Sequence, residues 1–69
     1  MINQSLKEWR KSRGLTQVSL SKAIDIPQST ISAWENGVNI PNMADCIKLA
    51  DFYEITLDEL VGRNFKKNW

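Results

Sequence analysis

Gln17–Asn36, QVSLSKAIDIPQSTISAWEN, reads as two short helices joined by a tight turn. Stepping roughly 100° per residue from Gln28 places Ile31 and Trp34 together on one face. Ser29, Ser32, Ala33 and Asn36 fall on the opposite face, with Gln28 at its edge. The inner face is therefore large and apolar, and the outer face small and polar. A surface helix ordinarily carries long charged side chains on its solvated face. Short donors and acceptors instead allow close approach to another surface. That is the chemistry needed to read base edges in a DNA major groove: Gln to adenine, Ser or Thr to several partners, an Ala methyl beside thymine. An idle polar surface would show the same pattern, so the helix alone leaves both readings open.

The turn separates them. In Ala23-Ile24-Asp25-Ile26-Pro27 two isoleucines flank a polar corner. Asp tolerates the left-handed backbone that such a corner often requires. Pro27 suits the start of a helix, where its missing N–H costs nothing. The stretch resembles the helix-turn-helix of the Cro/repressor family, also called Xre-type. The family's pattern opens with Gln, places Leu three residues on, then a small residue and a turn Gly, and closes the second helix with Trp-Glu-Asn-Gly. Here these are Gln17, Leu20, Ser21, Asp25 and Trp34-Glu35-Asn36-Gly37. Ser21 replaces the usual Ala, which is harmless if its hydroxyl bonds to a carbonyl. Asp25 replaces the usual Gly and should strain the turn slightly.

The resemblance extends over about Leu6 to Gly62. It implies an all-α fold: a compact five-helix bundle of the lambda-repressor-like DNA-binding type, its helix-turn-helix formed by the second and third helices. Residues 1–62 make one DNA-binding domain and 63–69 a C-terminal tail. The implied function is a sequence-specific transcriptional regulator, a prophage or bacterial repressor that binds a palindromic operator as a homodimer. Base readout falls to Gln28, Ser29, Ser32 and Ala33. Gln17, Thr30, Asn36, Asn39 and Arg13 are the expected contacts to the DNA backbone. The resemblance also implies that Arg10 pairs with Glu35, tying the first helix to the reading helix.

The totals set bounds. A chain of 69 residues forms one small domain, and such a domain buries only about 60% of its extended surface. One Cys and no His exclude an internal disulfide framework and the usual zinc ligand sets, so no metal or cofactor is expected. No apolar run approaches the roughly 20 residues needed to span a bilayer, and no signal peptide is visible. The expectation is a soluble cytoplasmic protein without a membrane contact. Net charge is only +1, yet it is unevenly spread. Residues 1–42 are mildly basic, 43–62 hold Lys48 against Asp45, Asp51, Glu54, Asp58 and Glu59, and the tail adds Arg63, Lys66 and Lys67. This suits a molecule with one face toward phosphates and another away from them, although ordinary scatter of surface charge gives a similar picture.

The first helix is expected from Asn3 or Ser5 to Arg13, with Ser5 and Glu8 as a capping box or Asn3 as the cap. Leu6 and Trp9 should face the core, and Gly14 should stop the helix. Thr16 caps a second helix over 17–24, with Leu20, Ala23 and Ile24 inside. The third spans 28–36. The connection Val38-Asn39-Ile40-Pro41-Asn42 lacks the Lys or Arg that the family often places there, which weakens the case for tight, salt-dependent binding. Asn42 caps a fourth helix over 43–53, in which Met43, Cys46, Ile47, Ala50 and Tyr53 read as core, with Leu49 and Phe52 off the centre of that stripe. Cys46 then reads as a buried structural thiol. Thr56 and Glu59 form a capping box for a fifth helix holding Leu57, Leu60 and Val61.

Catalysis has little to work with. No base stands ready for Ser or Cys, and there is no Gly-rich phosphate loop, so the chain does not read as an enzyme. Two functions remain. One is a regulator that binds double-stranded DNA as a homodimer paired through the C-terminal helix and tail, where Phe52, Phe65 and Trp69 offer apolar surface. The alternative is a protein-interaction module on the same scaffold, antitoxin-like or partner-binding, favoured by the low net charge and the cation-free connection.

Overall fold

The computed structural model describes residues 2–62; the expectations for Phe65, Trp69 and the rest of the tail lie outside them. Five helices follow one another: α1 (Ile2–Ser12), α2 (Gln17–Ile24), α3 (Gln28–Glu35), α4 (Met43–Tyr53) and α5 (Leu57–Leu60). No strand occurs among the described residues. The expected all-α five-helix architecture is what forms.

Local chemistry explains most boundaries. Thr16 accepts a hydrogen bond from the Ser19 amide and opens α2. Asn42 does the same for α4 through the Asp45 amide. Thr56 and Glu59 form the full reciprocal capping box of α5. The bundle packs α3 against α1 and α2, and α5 against α1 and α4. Its core is built from Leu6, Leu20, Ile24, Ile26, Ile31, Trp34, Leu49, Ala50, Tyr53 and Leu60, with Cys46 at its edge. The Cys46 thiol is buried and donates to the Pro41 carbonyl at 3.6 Å. Burial, then the nearby Asp45 charge, pushes its pKa up, as suits an inert thiol.

Four expectations need correction. The capping box at Ser5 and Glu8 does not form, and Asn3 is no cap: α1 already runs from Ile2, which packs partly against the core. Ser5 instead sits within the helix and donates to the Leu60 carbonyl at 2.8 Å, pinning α1 to α5. Ala23 is exposed, on the solvent side of α2. In α4 the buried stripe is Cys46, Leu49, Ala50 and Tyr53, so Leu49 belongs to the core while Met43 and Ile47 stand 66% and 45% exposed. Most residues of α4 are apolar, so two helical stripes compete on periodicity alone, and packing against the neighbouring helices selects one. Leu57 on α5 is 39% exposed.

Candidate nucleic-acid interface

The turn between α2 and α3 takes the expected form. Asp25 adopts the left-handed conformation, φ 58° and ψ 48°, and its amide donates to the Ser21 carbonyl. Ser21 compensates for replacing Ala: its hydroxyl donates to the Ile26 carbonyl at 2.5 Å. Ile24 and Ile26 are buried on either side of the corner. Pro27 stands at the N-cap of α3, and its carbonyl accepts from the amides of Thr30 and Ile31. With no N–H of its own, Pro27 leaves one fewer unpaired donor at the helix start.

Helix α3 presents the two faces anticipated. Ile31, Trp34 and Glu35 are buried. Gln28, Ser29 and Asn36 are exposed, while Thr30, Ser32 and Ala33 are half-buried. Asn36 donates to the Ser32 hydroxyl at 3.3 Å, one turn back on the outer face. Gly37, at φ 77°, ends the helix beside the Asn3 side chain of α1.

Behind this face lies a polar network. Arg10 meets Glu35 through two parallel hydrogen bonds, Nε to Oε2 at 2.7 Å and Nη2 to Oε1 at 3.0 Å. A third donor, Nη1, reaches the Leu15 carbonyl at 2.7 Å. Both residues are buried. Burial by itself would raise the Glu35 pKa, but hydrogen bonds from Arg10 and Gln17 outweigh it and hold the carboxyl below its usual range. The hydrogen bond to Glu35 in turn raises the Arg10 pKa against the cost of burial. The pair is therefore fully charged at neutral pH.

Gln17 extends the network toward the surface. Its Nε2 donates to Glu35 Oε1 at 3.0 Å, and its Oε1 accepts from Gln28 Nε2 at 3.3 Å. Arg10, Glu35, Gln17 and Gln28 thus form one chain of hydrogen bonds, from α1 through α3 and α2 back to the first residue of the reading helix. The family resemblance implied the first pair but not the continuation, because the side chains of Gln17 and Gln28 meet only once the turn has folded.

Arg13 is placed differently from the other candidates for the DNA backbone. Its Nη2 donates to the Tyr53 carbonyl at 2.8 Å. Its guanidinium lies 5.6 Å from the centres of both the Trp9 and Tyr53 rings. No sequence signal marked this role: Glu54, the C-cap of α4, adopts the left-handed conformation at φ 58°, and the last carbonyls of that helix need donors. Asn39 is exposed on the connection after α3. Among the described residues no helix is long and apolar enough to cross a membrane. No cluster of three or more His, Cys, Asp or Glu there could hold a metal.

Comparison with known proteins agrees with this geometry. The helix-turn-helix family model matches residues 6–60. The chain is 34% identical over 61 residues to the HTH-type transcriptional activator BcrR of Enterococcus faecalis, covering 88% of this chain and 30% of that protein. It is 36% identical over 62 residues to the cryptic phage CTXphi transcriptional repressor RstR of Vibrio cholerae, covering 90% of this chain and 55% of the relative. It therefore spans about half the length or less of these curated relatives. A transcriptional regulator from Listeria innocua of known crystal structure superposes over the whole chain with a TM-score of 0.82 at 23% identity, covering 64% of that protein, and shows the same fold. From the Arg10–Glu35 pair, the left-handed corner at Asp25 and a family match across nearly the whole bundle, this chain belongs to the Xre-like helix-turn-helix family.

Proposed function

We propose that this chain is the operator-reading unit of a transcriptional regulator, a prophage or bacterial repressor that binds a palindromic site as a homodimer. The observation that carries it is the outer face of α3. Gln28, Ser29, Ser32 and Ala33 form a small, polar surface on a helix whose back is held by the buried Arg10–Glu35 pair. Such a helix enters the major groove with its side chains already placed, so little ordering entropy opposes contact. Gln28 offers an amide to adenine, and its hydrogen bond to Gln17 sets its direction before DNA arrives.

The backbone contacts fall to α2's first-turn amides at Gln17, to Thr30 and Asn36 on α3, and to Asn39 after it. Arg13, engaged with α4, is left out of this set. Relatives named as an activator and as a phage repressor support the reading. Selection from a random DNA pool tests it: the wild type enriches one motif, and Gln28→Ala loses about 1–3 kcal/mol at one base position while relaxing the preference there. An unchanged motif in that variant would move readout away from Gln28.

One observation favours a protein-interaction module instead. The connection after α3 exposes Val38 and Ile40 where cations would hold phosphates. Salt separates the two readings. DNA affinity must fall steeply as salt rises, because counterions are released on binding, whereas association through apolar groups holds.

A further inference from the structure

The backbone contacts proposed above come from neutral groups, yet a protein that holds several phosphates needs cations near them. Among the described residues the cationic side chains are Lys7, Arg10, Lys11, Arg13, Lys22 and Lys48. Arg10 is committed to Glu35 and Arg13 to the end of α4. Lys22 precedes Asp25 by three residues, and Lys48 stands on α4 between Asp45 and Asp51, three residues to either side. Lys7 and Lys11 remain, both exposed on α1. We propose that these two lysines hold phosphates of the DNA strand that passes beside the reading helix. The inference rests on the operator reading above and names the cations it needs.

The two lysines share one groove. It is lined by Asn3, Gln4, Lys7, Glu8 and Lys11 of α1 and by Glu35 of α3. Its Glu35 end joins the reading unit, because Oε1 of Glu35 accepts from Gln17, and Gln17 in turn accepts from Gln28. The Lys7 charge reaches that carboxylate and helps to hold it ionised. Its Asn3 end lies beside Gly37, with the Asn3 amide nitrogen 3.6 Å from where a Gly37 Cβ would stand. That end therefore flanks the close of α3 at Asn36. The groove runs between two groups proposed for the backbone, Gln17 and Asn36.

Charge decides what the groove takes. Glu35 is neutralised by Arg10. Glu8 accepts from the Gln4 amide at 3.3 Å, and among the described residues no carboxylate pairs with either lysine. Lys7 and Lys11 are four residues apart, about one turn of α1, and like charges at that spacing repel. An anion lying along the groove removes that repulsion. A duplex backbone supplies such anions. A lysine meets a phosphate as a point charge, without reading a base.

The test measures affinity for the selected operator duplex, and for an unrelated duplex of equal length, from about 50 to about 200 mM salt. It compares wild type with Lys7→Gln, Lys11→Gln, the double variant, Lys22→Gln and Lys48→Gln. All four positions are exposed, so thermal melting should show each variant folded. Each single α1 variant should flatten the slope of log affinity against log salt by about 0.9, and the double variant by about 1.8, on both duplexes. The motif selected from a random pool should stay that of the wild type. Lys22→Gln and Lys48→Gln should leave the slope as it is. The proposal is overturned if the α1 variants keep the wild-type slope, if they change preference at a single base position, or if Lys22→Gln flattens the slope as much as they do. Loss of binding to polyglutamate with an unchanged DNA slope would overturn it too, and make the groove a contact for an acidic protein. A wild type that selects a motif while its α1 variants keep the slope leaves the operator reading standing and removes this inference. A wild type that binds no duplex removes both.

Discussion

Glu35 is a carboxylate buried in the bundle beside the Arg10 guanidinium, and it survives there because three donors point at it. Arg10 supplies two donors and Gln17 a third. A buried ion pair gives modest net stability, yet removing one partner strands the other charge in a low-dielectric site. Arg10→Met should therefore destabilise by about 3–5 kcal/mol. The double variant with Glu35→Gln should recover part of that loss. A chemical-denaturation cycle that finds the two changes additive would remove the pair from the account of stability. Gln17→Ala should cost only about 1 kcal/mol, the size of one hydrogen bond. It should also free Gln28, so that sequence preference broadens at the base Gln28 reads while the fold persists.

Helix ends, more than helix interiors, place the reading unit. The corner at Asp25 aims α3 away from α2, and it does so with a non-glycine residue at φ 58°. A left-handed backbone strains most side chains through the Cβ, Asp less than others, and a β-branched residue most of all. Asp25→Gly should leave unfolding stability within about 1 kcal/mol of wild type or slightly above it, because relief of strain and glycine's larger chain entropy oppose each other. Asp25→Val should lose about 1–3 kcal/mol. Equal stability of the two variants in urea would show that the corner is not strained. The corresponding corner at Glu54 was not evident in the sequence, because Glu is not a residue that marks a turn.

For the molecule as a whole, the perturbed groups bound the pH range of stability. Glu35 is held below its usual range, so its contribution is present above the unfolded value of about 4.3 and is lost as pH falls through the folded one. Tyr53 is the reverse case. Among the described residues its hydroxyl is buried without a hydrogen-bond partner, and burial pushes its pKa up to about 12. Its contribution is complete below the unfolded value of about 10 and is lost as pH rises toward the folded value, by up to about 2–3 kcal/mol. Burial raises the Cys46 thiol as well, so stability should be flat only up to that thiol's unfolded value of about 8.5 and decline on both sides of the range. The chain has one tyrosine, so tyrosinate absorbance reports this site alone. Tyr53→Phe should abolish the tyrosine share of the alkaline decline without loss at neutral pH, since no partner is orphaned. An alkaline limb unchanged in Tyr53→Phe would assign that limb to other groups.

The sequence by itself determined the helices, most of their caps, the left-handed corner and the polar face of α3. These depend on neighbours within a few residues: a Thr or Asn hydroxyl or amide reaching an amide three positions on, an Asp that tolerates the corner, a repeat near 3.6. Tertiary structure alone decided which of two apolar stripes of α4 is buried, because both satisfy that repeat and only contact with the rest of the bundle distinguishes Leu49 from Met43 and Ile47. It likewise decided that Gln17 would bridge Glu35 to Gln28, and that Arg13 would serve α4. In each case a long side chain has several partners within reach in the unfolded chain, and the packing of the five helices leaves it one.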